Sequence, residues 1–230
     1  MPFYMGIDQY FLLFVIPAMI FSLVMQIMVK SAYKRQSRVG NARGLTGAMA
    51  AQMVLAHYGV QNVRIEMTRG RLSDNYDPRT NTIRLSEGVY STASVAAVGI
   101  AAHEAGHAAQ HAQSYVPIKL RNAILPVCNV GSMLAVPLMI LGYWIGFFGL
   151  ITFGLALYAL IAVFQLVTLP VEFNASRRAM EAIDSQGMLT GSDRAGAKKV
   201  LNAAAMTYVA ALAVSLANLL RFMLRFNRRR

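Results

Sequence analysis

Residues 103–107 read His-Glu-Ala-Gly-His, and their types and spacing suit metal-assisted hydrolysis. On a helix, His103 and His107 lie one turn apart on one face, so both imidazoles reach a single ion. Glu104 follows the first histidine directly, which sets its carboxylate beside a water held by that ion. This is the H-E-x-x-H arrangement of zinc hydrolases: two nitrogen ligands, one general base and an open coordination position. The flank 94–111 is rich in alanine, which favours helix, and Ala105, Gly106, Ala108 and Ala109 leave room for a neighbour or a substrate. Five residues also meet by chance in helices, so the rest of the chain has to decide.

The site needs a third ligand. His111 shares the face of His107 but lies about 12 Å along the axis from His103, too far for donors that bind at about 2 Å. The metzincin position, ten residues after the first histidine, is Gln113. Glu172 is the remaining candidate. Taken alone, it complements the N-terminus of a helix beginning at Pro170. Beside a two-histidine site short of one donor, it reads as a metal ligand. His57 falls in the last turn of a helix expected over 44–60, a capping position, and Asp74 and Asp77 read as turn formers.

The elements that must position these residues are written in the hydropathy pattern. The chain has 230 residues, 56% of them hydrophobic, enough for one domain plus membrane spans. Its single cysteine, Cys128, excludes a disulfide or cysteine zinc site within one chain. The formal charge of +12 sits in clusters beside apolar segments, with no basic stripe interleaved with aromatics. That distribution orients a membrane protein and argues against nucleic acid as a partner. Residues 10–29 match one bilayer crossing, and neither a basic leader nor a small-residue cleavage site marks them as a signal peptide. Lys30, Lys34, Arg35, Arg38 and Arg43 follow without an acid, so residue 30 onward belongs inside.

Alternation predicts strands at 62–68 and 82–86 around a turn at 74–81. The motif helix, 93–113, is not apolar enough to cross a membrane. Residues 122–171 carry no charge, and fifty helical residues would extend about 75 Å, so they fold back near Gly142–Gly149 into spans 123–141 and 149–169. This hairpin returns Glu172 to the compartment of the histidines. Residues 177–199 are amphipathic, with breaks at 185–187 and 191–192. Residues 201–220 form a membrane-associated helix, and a full crossing there would put its arginines outside, against the charge rule. The expected fold is a mainly α integral membrane protein. A zincin-like catalytic region with a small β-hairpin or sheet joins three or four transmembrane helices, divided as 1–29, 30–122, 123–171, 172–200 and 201–230.

Five stretches carry a closer likeness: Gly44-Leu-Thr-Gly-Ala, Tyr76-Asp-Pro-Arg-Thr, Leu85-Ser-Glu, residues 101–111 around the motif, and Pro170-Val-Glu-Phe-Asn-Ala-Ser-Arg-Arg-Ala. On these the chain resembles the YugP-type neutral zinc metallopeptidases of bacterial membranes and, more distantly, the HtpX-type endopeptidases. The resemblance implies a gluzincin-like site, with His103, His107 and Glu172 holding one Zn2+ per chain and Glu104 as base. It further implies hydrolysis of polypeptide substrates at the cytoplasmic face of a bacterial inner membrane, with the bilayer itself as partner. The HtpX-type pattern has an aspartate four residues after the ligand glutamate to orient a histidine; Ser176 stands there, and its hydroxyl can accept a histidine N–H. The strand carrying Thr82, Ile83 and Arg84 is implied to bind extended substrate. The competing readings are a zinc-binding scaffold or chaperone partner without turnover, and a transporter. The uncharged spans argue against the transporter.

Overall fold

The computed structural model describes residues 8–70 and 73–227 of the chain. Residues 1–7 of the expected first segment and Arg228–Arg230 of the basic tail lie outside them. The described residues are mainly helical with one small sheet, and they divide into two compact units. One unit comprises Met1–Met25, Leu120–Leu169 and Thr207–Arg230; the other comprises Gln26–Lys119 and Pro170–Met206.

Four helices are long and apolar enough to cross a membrane: Phe11–Gln36, Val116–Trp144, Phe148–Ser185 and Gly191–Phe226. The first opens with a π-helical turn, Phe11–Val15, and continues as α1 (Ile16–Gln36). In the first unit, α5 (Val116–Trp144) and α6 (Phe148–Ser185) form the expected hairpin, turning at Gly146 with a left-handed φ of 70°. Small residues set how closely these two helices approach, as is usual in lipid. A Cβ at Gly154 would lie 2.7 Å from the Ala135 carbonyl oxygen.

The last helix, α7, runs unbroken through Gly191–Asn227. Its end is tied to the start of the first crossing by Asp8. One carboxylate oxygen accepts the Phe11 N–H at 2.7 Å, and the other pairs with Arg221 at 3.0 Å and Arg225 at 2.9 Å. Arg221 is buried and lies 4.8 Å over the Phe11 ring. The beginning of the first span and the end of α7 therefore share one end of this unit. The charge conflict expected for a fourth crossing has a local counter-charge.

The second unit holds the chemistry. Thr46 caps α2 (Gly47–His57) by accepting the Met49 N–H at 3.3 Å, and Gly59 ends it with a φ of 65°. Ser94 caps α4 (Val95–Ala112) by accepting the Ala97 N–H at 3.1 Å. A short α3 (Glu87–Tyr90) connects the sheet to α4. One face of α4 packs on α2, the sheet and α6 through Val98, Ala101, Ala105 and Ala108, all buried with Val54, Ile83 and Ile183. At 103 and 107 the alanine and valine ridge gives way to imidazole.

Three expectations need correction. The segment expected as one turn, 74–81, contains a strand, so the sheet has three: β1 (Arg64–Thr68), β2 (Asn75–Asp77) and β3 (Thr82–Ser86). Asp74 does not form a turn; it accepts the Ser86 N–H at 2.7 Å across the sheet. Asp77 accepts the Arg79 N–H at 3.0 Å, as a turn former does. The strand order is β1-β3-β2, with β1 parallel and β2 antiparallel to β3. Thr82, Ile83 and Arg84 are therefore paired on both sides, and no substrate strand can add to their backbone. Pro170 starts no helix either, because α6 passes straight through it. In an apolar helix the one amide bond lost at a proline is offset by packing of the flanking turns.

Candidate metal centre

Three donor atoms converge from two helices. His103 and His107, on α4, turn their Nε2 atoms toward one carboxylate oxygen of Glu172, on α6, at 3.3 Å and 3.6 Å. A tetrahedral ion with bonds of about 2.0–2.1 Å separates its donors by roughly 3.3 Å, so both separations from Glu172 suit zinc. Among the described residues it is the group of histidine, cysteine and acidic side chains whose ligand atoms all lie within 4.8 Å of one another. Glu172 and His107 are buried, whereas His103 and Glu104 are half-buried, so the centre opens on the side of the motif's first two residues.

The electrostatics suit a cation. Burial pushes the Glu172 carboxyl up, but hydrogen bonding and charge from His103 and His107 outweigh it and hold it well below the usual carboxylate range. Burial pushes the His107 imidazole down, yet the hydrogen bond to Glu172 and the charges of Glu172 and Glu104 raise it above its ordinary value. A carboxylate kept ionised in a buried pocket calls for positive charge at the point where the three atoms meet.

Each imidazole is held from behind. His103 Nδ1 lies 3.1 Å from Ser176 Oγ and His107 Nδ1 lies 3.0 Å from Gln110 Oε1; with a metal on each Nε2, the proton would sit on Nδ1 and be donated to these oxygens. Ser176 is one helical turn after Glu172, so α6 supplies both the converging carboxylate and the hydroxyl that meets the His103 ring. Gln110 escaped the sequence reading, although its spacing of three from His107 is the signal that places two side chains on one helix face. It is fully buried, and its amide N–H groups donate to the Val171 carbonyl at 2.8 Å and to Asn174 Oδ1 at 2.9 Å. One side chain thereby fixes the His107 tautomer and ties α4 to the helix bearing Glu172. Gln110→Leu is expected to weaken zinc about 10–100-fold in a competition titration with a chelator, and Gln110→Glu, which keeps an acceptor for Nδ1–H, to recover part of the loss. Equal zinc affinity in wild type and Gln110→Leu would refute this role.

Close approach of the two helices rests on Gly106. A Cβ there would lie 2.7 Å from the Ala175 carbonyl oxygen. Other residues singled out from sequence fall elsewhere. His111 Nδ1 meets the Tyr76 hydroxyl at 3.2 Å and takes no part in the donor set. His57, in the last turn of α2, has its Nδ1 3.2 Å from Ser185 Oγ. Thr82, Ile83 and Arg84 lie inside the sheet, and Arg84 pairs with Asp77 at 3.2 Å.

Residues 11–227 match the family described as "Putative neutral zinc metallopeptidase". The chain is also 44% identical over 216 residues to the "Putative membrane protease YugP" of Bacillus subtilis (strain 168), covering 94% of this chain and 96% of that protein. No solved structure matches. With the family match spanning nearly every described residue and both motif helices inside it, the chain belongs to this neutral zinc metallopeptidase family.

Proposed function

We propose that the chain is a membrane zinc metalloendopeptidase, with His103, His107 and Glu172 as ligands and Glu104 as general base. The observation that carries this reading is the convergence of two Nε2 atoms and one carboxylate oxygen while both Nδ1 atoms are held by Ser176 and Gln110. Bound zinc would supply the Lewis acid that acidifies a water and polarises the scissile carbonyl. Glu104, half-buried beside the first ligand, takes up the proton of the attacking water and delivers it to the leaving nitrogen. An extended polypeptide has to be sought along an edge of the sheet, and β2, which carries Tyr76 beside His111, has an edge open among the described residues.

The scaffold alternative is less economical. A purely structural zinc is normally closed by four protein ligands, and only three converge among the described residues. The test is zinc content and cleavage of an unfolded protein by detergent-purified chain. Wild type is expected to hold about one zinc and to cleave, and Glu172→Ala to lose the metal, since a two-histidine remainder lacks the donors of a stable site. Glu172→Ala with full zinc would refute the ligand set, whereas wild type with zinc and no cleavage would favour the scaffold.

The same reading puts the centre on the cytoplasmic side of a bacterial inner membrane. Five cations and no acid follow the first apolar stretch. Arg79 has a side chain 93% exposed, and Cys128 is buried. Arg79→Cys is expected to react with an impermeant maleimide in inverted vesicles and not in intact cells. The opposite pattern would reverse the orientation.

A further inference from the structure

Three cations share one face at the end of α1. Lys34, Arg35 and Arg38 are exposed, and with Ser31 they line a shallow, open surface depression of about 270 Å³. Their positions, 31, 34, 35 and 38, follow the three-and-four spacing that stacks side chains on one helix face. No acidic residue occurs between Asp8 and Glu66. In the second unit Arg64, Arg79, Arg84, Arg177 and Arg194 each have a carboxylate partner, whereas Lys34, Arg35 and Arg38, like Lys119 and Lys199, form no ion pair among the described residues. Three positive charges on one helix face repel one another, and an anion among them relieves that repulsion.

What precedes them points to the kind of anion. Ile27 and Met28, 58% and 49% exposed, come one turn before Ser31 and end the apolar stretch of a helix able to cross a membrane. The face thus changes from apolar to cationic where a bilayer changes from acyl chain to headgroup. We propose that this face of α1 is a binding site for an anionic phospholipid. The phosphodiester sits among Ser31, Lys34, Arg35 and Arg38, and an acyl chain lies along Ile27 and Met28. Ser31 offers a hydroxyl donor, the guanidinium groups offer paired N–H donors that match phosphate oxygens, and Lys34 adds a point charge.

The site stands on the segment that leads to the motif helix. Ala32 packs with Val200 and Ala203, and Ile100 of α4 packs against the same cluster. Immediately beyond the cations, the Val39 carbonyl accepts the Val95 N–H at 2.9 Å, and Gly40 bridges to Ser94, the cap of α4. A bound headgroup therefore steadies the strand-like contact from which the helix of His103 and His107 begins. The proposal does not depend on the catalytic reading.

The experiment titrates the full chain, in a neutral detergent, with dioleoyl phosphatidylglycerol, dioleoyl phosphatidylcholine or inorganic phosphate. Bound lipid is counted by native mass spectrometry, and thermal unfolding is followed in parallel. Wild type is expected to retain phosphatidylglycerol over phosphatidylcholine and to unfold at higher temperature with the former. The triple variant Lys34→Gln/Arg35→Gln/Arg38→Gln is expected to bind phosphatidylglycerol on the order of a hundredfold more weakly, at roughly one charge–headgroup interaction lost per residue. A control of equal charge, Arg64→Gln/Arg79→Gln/Lys199→Gln, is expected to bind as wild type does, which separates a site from net charge. Unchanged phosphatidylglycerol binding in the first variant, or equal loss in the control, overturns the proposal. A thermal shift with inorganic phosphate equal to that with the lipid overturns the lipid assignment in favour of a soluble anion.

Discussion

Glu104→Gln is expected to leave zinc content unchanged at about one per chain while peptide hydrolysis falls by about 10²–10⁴-fold, the usual contribution of a positioned acid–base group. The substitution conserves volume and helix propensity, and Glu104 is not among the converging donors, so neither fold nor metal has cause to change. Only the ability to accept a proton is lost. Its charge does act on His107, raising the imidazole, so zinc affinity should shift slightly and not collapse. Measuring metal content and turnover on the same preparation separates the two roles. Turnover equal to wild type would remove Glu104 from the mechanism, and loss of zinc would make it a ligand.

The second large effect is expected from one methyl group. In Gly106→Ala the new Cβ lies 2.7 Å from the Ala175 carbonyl oxygen and 3.4 Å from two further backbone atoms of that residue. The obstacle is backbone, so no side chain can turn away, and α4 and α6 must separate. The donors are divided between those helices, and Gln110 spans them with bonds of 2.8 Å and 2.9 Å that a shift of several tenths of an ångström would break. Overpacking of this kind costs about 1–3 kcal/mol, and zinc affinity is expected to fall more than about tenfold. Gly99→Ala is the internal control. It is on the same helix, gains the same helix propensity of about 1 kcal/mol, and meets Ala197 less closely, its Cβ at 3.3 Å and its backbone at 3.6 Å and 3.8 Å. If the two variants unfold at the same temperature and bind zinc equally, the close approach at Gly106 does not matter.

Local signals were legible in the sequence where chemistry and neighbouring residues act together. Thr46 and Ser94 announce their helices because a hydroxyl satisfies the free amides of a first turn. Ser185-Gln-Gly marks the end of α6, where Gly187 takes a φ of 58°. The hairpin followed from bilayer thickness. Features decided over long distances were hidden. Strand β2 is three residues with one large apolar side chain, Tyr76, and its pairing with β3 alone makes it a strand. No residue pattern distinguishes the central strand from an edge one, and the strand that the resemblance implies for substrate, β3, is enclosed on both sides. Pro170 carries the N-terminal preference of proline, but in α6 the chain on both sides is committed to helix. Gln110 was visible by spacing from His107; what remained invisible was Val171 and Asn174 waiting for its amide.

The pairing of Asp8 with Arg221 and Arg225 bears on how the protein is assembled during synthesis. In the orientation proposed, the arginines near the end of α7 are translocated, which the electrical bias of insertion opposes. Their counter-charge belongs to the first helix, made more than two hundred residues earlier and already seated when α7 emerges. The direction of the last crossing is thus set by an earlier-made part of the same chain rather than by its own flanks. Reporter domains fused at the two ends are expected to occupy one compartment.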